Sequence, residues 1–150
     1  MEMSAFIEDL RGQKVGLDTM VFVYAFENHP AYVQLIRPLL IAIESGATEA
    51  VTSTITLAEC LVQPYRKKDT ALAARYMVLL RNFPHLAVLP VTDAIAERAA
   101  FLRANHRLKT PDAVQISTAL LSGCRSFLTN DEAFHSVKGI EVLVLDDFLT

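Results

Sequence analysis

Val15-Gly16-Leu17-Asp18-Thr19 is the stretch that decides the fold predicted for this chain. Two apolar residues around a glycine predict a short buried strand, and that strand ends on the carboxylate of Asp18. The apolar run at residues 20–26 predicts a helix directly after it. Because ligands and catalytic groups in an open α/β sheet gather where strands end and helices begin, we expect Asp18 at a functional edge. Asp is also a favoured N-cap residue, so capping alone is the competing interpretation.

The rest of the chain repeats this order of a strand followed by helical segments. Further strands are predicted at residues 49–53, 86–89, 126–128 and 142–145, with helical spacing between them. Pro38 lies inside one predicted helix, where we expect a kink or a division into two shorter helices. Strands that alternate with helices favour the α/β class, as a three-layer α/β/α sandwich with a mainly parallel central sheet.

Length and composition indicate one globular domain. Of the 150 residues, 52% are hydrophobic, which allows a substantial core, and 21% are charged, which is an ordinary share for a folded protein. We therefore predict a single domain over residues 1–150. Residues 1–14 precede the first strand and are predicted to be an N-terminal accessory segment that packs on the domain or on a second copy.

The formal net charge of -3 excludes a uniformly basic nucleic-acid-binding protein. It leaves room for a local basic patch, because binding depends on where the charges lie. No apolar run is long enough to span a membrane and the N-terminus lacks the features of a signal peptide, so we expect a cytoplasmic protein without a membrane partner. Cys60 and Cys124 stand alone among apolar neighbours and are predicted to be buried free thiols.

Three further acids lie where a carboxylate needs an explanation. Glu59 falls beside the inward stripe of an otherwise apolar helix, where an unpaired charge is costly. Asp112 lies in the first turn of a helix that Thr110-Pro111 opens, and Asp131 follows a predicted strand. Each has an ordinary alternative, since Glu59 can reach water, Asp112 suits the helix dipole and Asp131 can cap a helix.

A hard divalent cation is the cofactor expected if these acids converge. Carboxylates that converge without cations repel by about 4 kcal/mol for each close pair at an effective dielectric constant near 20. Carboxylate oxygens are the ligands that Mg²⁺ and Mn²⁺ prefer. The four histidines show no spacing typical of metal ligands, which argues against zinc; they are His29, His85, His106 and His135.

Four motifs in order carry a resemblance to a known family: Leu17-Asp18-Thr19, Ala58-Glu59, Thr110-Pro111-Asp112-Ala113 and the segment from Leu128 to Phe134. With them, the chain resembles a PIN domain from about Val15 to Leu145, and in particular the VapC-type toxins of toxin–antitoxin pairs. By that resemblance, the catalytic and metal-binding acids of a ribonuclease acting on single-stranded RNA are Asp18, Glu59, Asp112 and Asp131. Thr129 matches a hydroxyl-bearing position that assists such a site.

The resemblance implies a Mg²⁺- or Mn²⁺-dependent endoribonuclease that hydrolyses phosphodiester bonds of single-stranded or structured RNA. It also implies an antitoxin protein as partner, and the apolar content of the chain is compatible with a homodimer. Arg107 and Lys109 immediately precede Asp112 and are the basic residues that we expect to bind RNA phosphates. Arg66-Lys67-Lys68 is a second candidate group. Solvated surface charge is the alternative for all five residues.

Other families that place an Asp after a strand fit less well. A phosphotransferase of the haloacid-dehalogenase type would have a second Asp two residues after Asp18, where this chain has Met20. A response-regulator receiver would have adjacent acids before its Asp and a later lysine on a strand, and neither is evident. Two alternatives stay open: a non-catalytic PIN module that binds RNA or a protein, and a nuclease that works without an antitoxin or acts on DNA.

Overall fold

The predicted alternation of strands and helices is present in the computed structural model, which describes residues 2–149. The five strands are β1 (Lys14–Leu17), β2 (Glu49–Ser53), β3 (Leu86–Leu89), β4 (Ser126–Thr129) and β5 (Glu141–Val144). The α-helices are α1 (Met3–Asp9), α2 (Thr19–Phe26), α3 (Val33–Ser45), α4 (Thr54–Arg66), α5 (Thr70–Asn82), α6 (Asp93–Asn105) and α7 (Thr110–Leu121). Two short 3₁₀ helices follow, η1 (Glu132–Ser136) and η2 (Leu145–Phe148).

The strands form one sheet in the order β3-β2-β1-β4-β5, and all four pairings are parallel. The prediction of an α/β fold with a mainly parallel sheet is confirmed. The central strand is β1, where Leu17 pairs with Leu128 of β4. Because parallel strands end on the same edge, the residues after β1, β2 and β4 meet there.

Two buried clusters cover the two faces of the sheet. In β1, the side chains of Val15 and Leu17 belong to the first cluster, which α1 to α5 complete. In β4, Phe127 belongs to the second cluster with α6, α7 and η1, whereas its neighbour Leu128 belongs to the first. This alternation is that of strands buried on both sides, and it gives the three layers that the sequence predicts.

Gly16 lets α7 lie close against the central strand. A Cβ at this position would stand 2.5 Å from the Cβ of Ala119 on α7 and 3.0 Å from the ring of Phe127. Real Cβ contacts are longer than this, so any side chain at residue 16 would push the helix away. The glycine of the opening motif therefore sets the distance between β1 and the helix that carries Asp112.

Two local predictions concern the N-terminal segment and the helix that contains Pro38. Phe6 and Leu10 are fully buried in the first cluster, so α1 packs as part of the main core; Met1 lies outside the described residues. Helix α3 is not divided at Pro38. Gln34 and Pro38 both lie on the exposed side of the helix, where water can replace the N–H that Pro38 lacks, and the helix continues past the proline.

The helices and the two cysteines give two further observations. None of the helices within residues 2–149 is both long enough and apolar enough to cross a membrane. Cys60 and Cys124 are buried free thiols. Burial raises the pKa of the Cys60 thiol to about 12 and that of Cys124 to about 11, so neither is a reactive thiolate near neutral pH.

Candidate functional site

One cleft at the carboxyl edge of the sheet brings together all four predicted acids and Thr129. The cleft has a volume of about 330 Å³ and is lined by Asp18, Thr19, Met20, Val23, Tyr24, Glu59, Asp112, Thr129, Asn130 and Asp131. The acids come from four separate parts of the chain and converge because each follows a strand end or belongs to a helix at that edge. Their roles in catalysis and metal binding stay predictions.

Asp18 is buried at the base of the cleft, with 7% of its surface exposed. It is the N-cap of α2, because its Oδ1 accepts a hydrogen bond of 2.9 Å from the Thr19 backbone N–H. Its Oδ2 accepts a second bond of 2.7 Å from the Thr129 hydroxyl. The capping interpretation is therefore correct, and it does not compete with a place in the cleft.

Burial raises the pKa of Asp18 to about 6. The hydrogen bonds from Thr129 and Thr19 lower the pKa in part, and the negative charges of Asp112 and Glu59 raise it further. A buried carboxylate beside two other acids is disfavoured in its charged form unless a cation joins it.

Glu59 enters the cleft from α4. Its Oε1 accepts a hydrogen bond of 2.7 Å from the Thr19 hydroxyl, although the residue as a whole is exposed. Its position beside the inward stripe, as expected, thus lets Oε1 contact the buried Thr19 while the residue stays exposed to solvent. Thr19 in this way connects Glu59 to the end of β1.

Asp112 and Asp131 complete the acidic wall. Asp112 lies half-buried in the first turn of α7, and its pKa is raised by burial and by the charges of Asp131 and Glu59, while Lys109 lowers it. Asp131 caps η1 by accepting from the Ala133 N–H at 2.9 Å. The dipole and capping interpretations hold for these two acids as well, and both still face the cleft.

The donor set fits a hard divalent cation. Carboxylate oxygens dominate the cleft, and within residues 2–149 the ion pair that forms joins Arg11 to Glu8, remote from these acids. In the same residues, no three acidic, histidine or cysteine side chains already stand as a preformed metal-binding group.

Of the two basic residues predicted to bind RNA, Lys109 is near enough to Asp112 to lower its pKa, and Arg107 lies in a neighbouring cleft. Lys109 is the N-cap residue of α7 and is exposed. Arg107 lines a neighbouring cleft of about 740 Å³ with Arg103, His106 and Ser136. In the second candidate group, Lys67 lines a smaller cleft that Glu59 also borders.

Sequence patterns missed a buried polar network behind the acids. Gln115 of α7 is 3% exposed and contacts the hydroxyls of Ser53, Thr19 and Thr56. The signal that could have indicated it is a glutamine on the inward face of an apolar helix, since such a side chain needs hydrogen-bond partners. Tyr24 was likewise missed, because an aromatic residue in an apolar helix reads as core.

Comparison with known proteins gives a family and a set of similar folds. The PIN domain model matches residues 15–140. No curated protein matches the chain in sequence.

Solved structures of toxin–antitoxin proteins share the fold. VapBC2 from Rickettsia felis, bound to a DNA fragment from its promoter, gives a TM-score of 0.70 at 17% identity over 87% of this chain and 98% of that one. A toxin–antitoxin complex from Klebsiella pneumoniae gives 0.66 at 23% identity over 88% and 97%. VapC20 from Mycobacterium tuberculosis, a sarcin-ricin loop cleaving toxin, gives 0.61 at 16% identity over 75% and 86%.

Proposed function

The chain belongs to the PIN domain family, and from this premise we propose that it is a Mg²⁺- or Mn²⁺-dependent endoribonuclease that hydrolyses single-stranded RNA. The observation that supports the proposal most is the convergence of four carboxylates on one cleft. Carboxylates that repel one another persist together where a cation joins them in the working state. A phosphodiester is the substrate whose cleavage such a site suits.

In this proposal Asp18, Glu59, Asp112 and Asp131 hold the divalent ion. When bound, the ion supplies a water of lowered pKa and positive charge beside the phosphate. Asp18 and Glu59 are held in place by the hydroxyls of Thr129 and Thr19, so their oxygens are oriented before the ion arrives. Thr129 assists by donating to the Asp18 carboxylate, which favours its charged form against the effect of burial.

RNA would approach the acids along the basic side of the cleft. Lys109 lies three residues before Asp112, and its positive charge lowers the pKa of that acid. A phosphate bound by Lys109 would therefore lie next to the acids. Arg107 extends this path into the neighbouring cleft, which reaches Ala133 two residues after Asp131. Basic groups on one side of an acidic cleft offset its repulsion of the RNA backbone.

We further propose that the protein is the toxin of a toxin–antitoxin pair, with an antitoxin protein as partner, and that it is a cytoplasmic homodimer. The fold shared with VapBC2 and with the Klebsiella pneumoniae complex supports the first part. The apolar side chains Met77, Val78 and Leu79 are exposed around the outer side of α5 and are free to contact a second copy of the chain. A small antitoxin-like open reading frame directly upstream would distinguish a toxin from a nuclease that works alone, and sedimentation of the purified protein would test the dimer.

Cleavage of a labelled single-stranded RNA tests the nuclease proposal. The purified protein should cut it with Mg²⁺ or Mn²⁺ and stop in EDTA, and Asp112→Asn should lower the rate by orders of magnitude. Asp93→Asn is the matched control, because Asp93 occupies the first turn of α6 as an exposed acid outside the cleft, and it should keep the wild-type rate. Undiminished cleavage in EDTA would contradict the proposal. RNA binding without cleavage under any metal would support the non-catalytic PIN module instead.

A further inference from the structure

Gln115 connects the buried side of α7 to the acidic cleft. Its Nε2 donates hydrogen bonds to the hydroxyls of Thr19 at 3.0 Å and Thr56 at 2.9 Å. Its Oε1 accepts one of 2.5 Å from the Ser53 hydroxyl. Both the amide nitrogen and the amide oxygen of this buried side chain are therefore hydrogen-bonded, so the orientation of the amide is fixed by three partners.

One branch of this network ends on a backbone carbonyl, which fixes the direction of its hydrogen bonds. The Thr52 hydroxyl donates to the Leu17 carbonyl at 2.9 Å. Thr52 has one hydroxyl hydrogen, so it must accept from Thr56, whose oxygen is 2.6 Å away. The hydrogen of Thr56 is thus used toward Thr52, and Thr56 can only accept from Gln115.

The other branch ends on Glu59. Thr19 accepts from Gln115, and its single hydrogen has two acceptors within reach: Glu59 Oε1 at 2.7 Å and the Thr56 hydroxyl at 3.3 Å. The carboxylate oxygen is the nearer of the two, so Thr19 donates to Glu59. With the amide of Gln115 turned the other way, its oxygen would compete for the same hydrogen. The oxygens of Thr19 and Glu59 would then face each other at that distance with no hydrogen between them.

We propose that Gln115 is a positioning residue for Glu59, acting through the direction of the Thr19 hydroxyl. When the Gln115 amide donates to Thr19, the threonine hydrogen points toward the Glu59 carboxylate and is donated to it. This bond holds Glu59 in the cleft with a defined orientation of its carboxylate. The proposal rests on the divalent-ion site of the proposed function. Groups that orient metal ligands from behind typically change metal affinity by about 10- to 100-fold when they are removed.

Calorimetric measurement of Mn²⁺ affinity tests this role without using activity. Gln115→Met keeps the approximate volume and removes the donors, and it should weaken Mn²⁺ binding by roughly 10-fold. Thr19→Val should cause a similar loss, and adding Gln115→Met to Thr19→Val should cause no further loss. Thr19→Ser keeps the hydroxyl and should bind Mn²⁺ like wild type. If Gln115→Met does not fold, Gln115→Glu, which competes for the Thr19 hydrogen, should show the same weakening.

Ser117→Ala is the matched control, since Ser117 is buried on the same helix and its Oγ has no partner among the described residues. It should bind Mn²⁺ like wild type. The role of Gln115 is refuted if Gln115→Met binds Mn²⁺ as tightly as wild type. It is also refuted if Gln115→Met weakens Mn²⁺ binding by the same factor when it is added to wild type and when it is added to Thr19→Val. If wild type binds no Mn²⁺, the proposed ion site fails and this role fails with it, which is a different pattern from a failure of the variants alone.

A different observation concerns the wall of the cleft that α2 provides. Met20 and Tyr24 are one helical turn apart, and both line the cleft that the acids border. The Tyr24 ring stacks on Tyr32 with ring centroids 4.3 Å apart and 18° between planes, and the His29 ring lies tilted against it with centroids 5.0 Å apart. Its hydroxyl accepts a hydrogen bond of 3.0 Å from Asn130, so the ring is fixed from two sides. Carboxylates that handle a phosphodiester have no need of such an apolar, aromatic wall.

We infer that Tyr24 and Met20 form a binding site for a nucleobase of the RNA, next to the phosphate that the acids handle, so this inference also rests on the proposed function. Single-stranded RNA is recognised by stacking unpaired bases on aromatic side chains. A ring held by Tyr32 and Asn130 loses little freedom when a base binds it. Met20 is 38% exposed and offers a polarizable surface beside the ring.

Fluorescence anisotropy in EDTA, where no cleavage is expected, measures this contribution to RNA affinity. Tyr24→Leu should weaken binding by roughly 5- to 150-fold, the range for loss of one stacked base. Tyr24→Phe should lose far less, because it keeps the ring and gives up only the hydrogen bond from Asn130. A set of RNAs with one abasic nucleotide at successive positions should contain one on which Tyr24→Leu causes no further loss.

Wild-type affinity of Tyr24→Leu for intact RNA would refute the nucleobase site while leaving the nuclease proposal in place. An equal loss on every abasic RNA would also refute it, because the ring would then act on the fold rather than on a base. A wild-type protein that binds no RNA either in EDTA or with Mg²⁺ present would overturn the nuclease proposal together with the nucleobase site.

Discussion

At the scale of a single residue, burial and hydrogen bonding shift the pKa of Asp18 in opposite directions. Burial raises its pKa to about 6, although two hydrogen bonds favour its charged form. In the unfolded chain an Asp titrates near pH 4. Because the folded state binds this proton more tightly, the charged form of Asp18 destabilises the metal-free fold, and a bound cation would remove that penalty.

The free energy of unfolding in EDTA should therefore depend on pH through Asp18. Below about pH 4 the group is protonated in both states and costs nothing; as the pH rises to about 6 stability is lost, and above that the loss is constant. The difference between wild type and Asp18→Asn should change by on the order of 3 kcal/mol across this range, at 1.36 kcal/mol per unit of pKa. Urea unfolding at several pH values measures it. Parallel pH profiles for the two proteins would show that Asp18 is not perturbed.

At the scale of elements, the contact between β1 and α7 positions two parts of the site at once. Gly16 and Ala119 make the contact, and α7 carries both Asp112 and Gln115. A helix displaced from the strand would move the acid and the glutamine together. The opening glycine is thus connected to the chemistry through the packing of one helix.

Gly16→Ala should lower the free energy of unfolding by about 1–3 kcal/mol, the usual cost of an extra methyl group in a packed core. Ala119→Gly alone should cost about 1 kcal/mol through helix propensity. The double variant should be more stable than the sum of the two losses predicts, because the methyl group removed from α7 makes room for the one added to β1. Denaturant unfolding of wild type, the two single variants and the double variant measures these free energies. Strict additivity would mean that the two residues do not compete for the same space.

The loop before α7 presents Lys109, whose contribution to RNA binding can be separated from that of the acids. Lys109→Ala should weaken binding of single-stranded RNA in EDTA and reduce the slope of log affinity against log salt by about 0.7, the value for one phosphate contact. Lys14→Ala is the control, because Lys14 is exposed at the start of β1, on the edge opposite the cleft. Equal slopes for Lys109→Ala and wild type would remove Lys109 from the RNA path.

At the scale of the whole molecule, the sequence predicts what depends on local spacing. The strand and helix order follows from periodicity. Asp18, Asp112 and Asp131 follow from their places at strand ends and helix starts, and Glu59 follows from its place beside the inward stripe of an apolar helix. The network around Gln115 could not be predicted in this way, because its partners Ser53 and Thr19 lie 62 and 96 residues away in the chain. The single, undivided α3 also depends on tertiary context, since exposure of Pro38 makes its missing hydrogen bond tolerable.

The central claim is that four carboxylates from four parts of the chain act as one divalent-ion site, and Mn²⁺-dependent melting tests it most directly. An ion that binds only the folded state adds about 2.7 kcal/mol at a concentration 100 times its Kd. Mn²⁺ should therefore raise the melting temperature of wild type and of the control Asp93→Asn well above their values in EDTA. The rise should be much smaller for Asp18→Asn, Asp112→Asn and Asp131→Asn. Equal rises in wild type and in these three variants would show that the acids do not form one ion site.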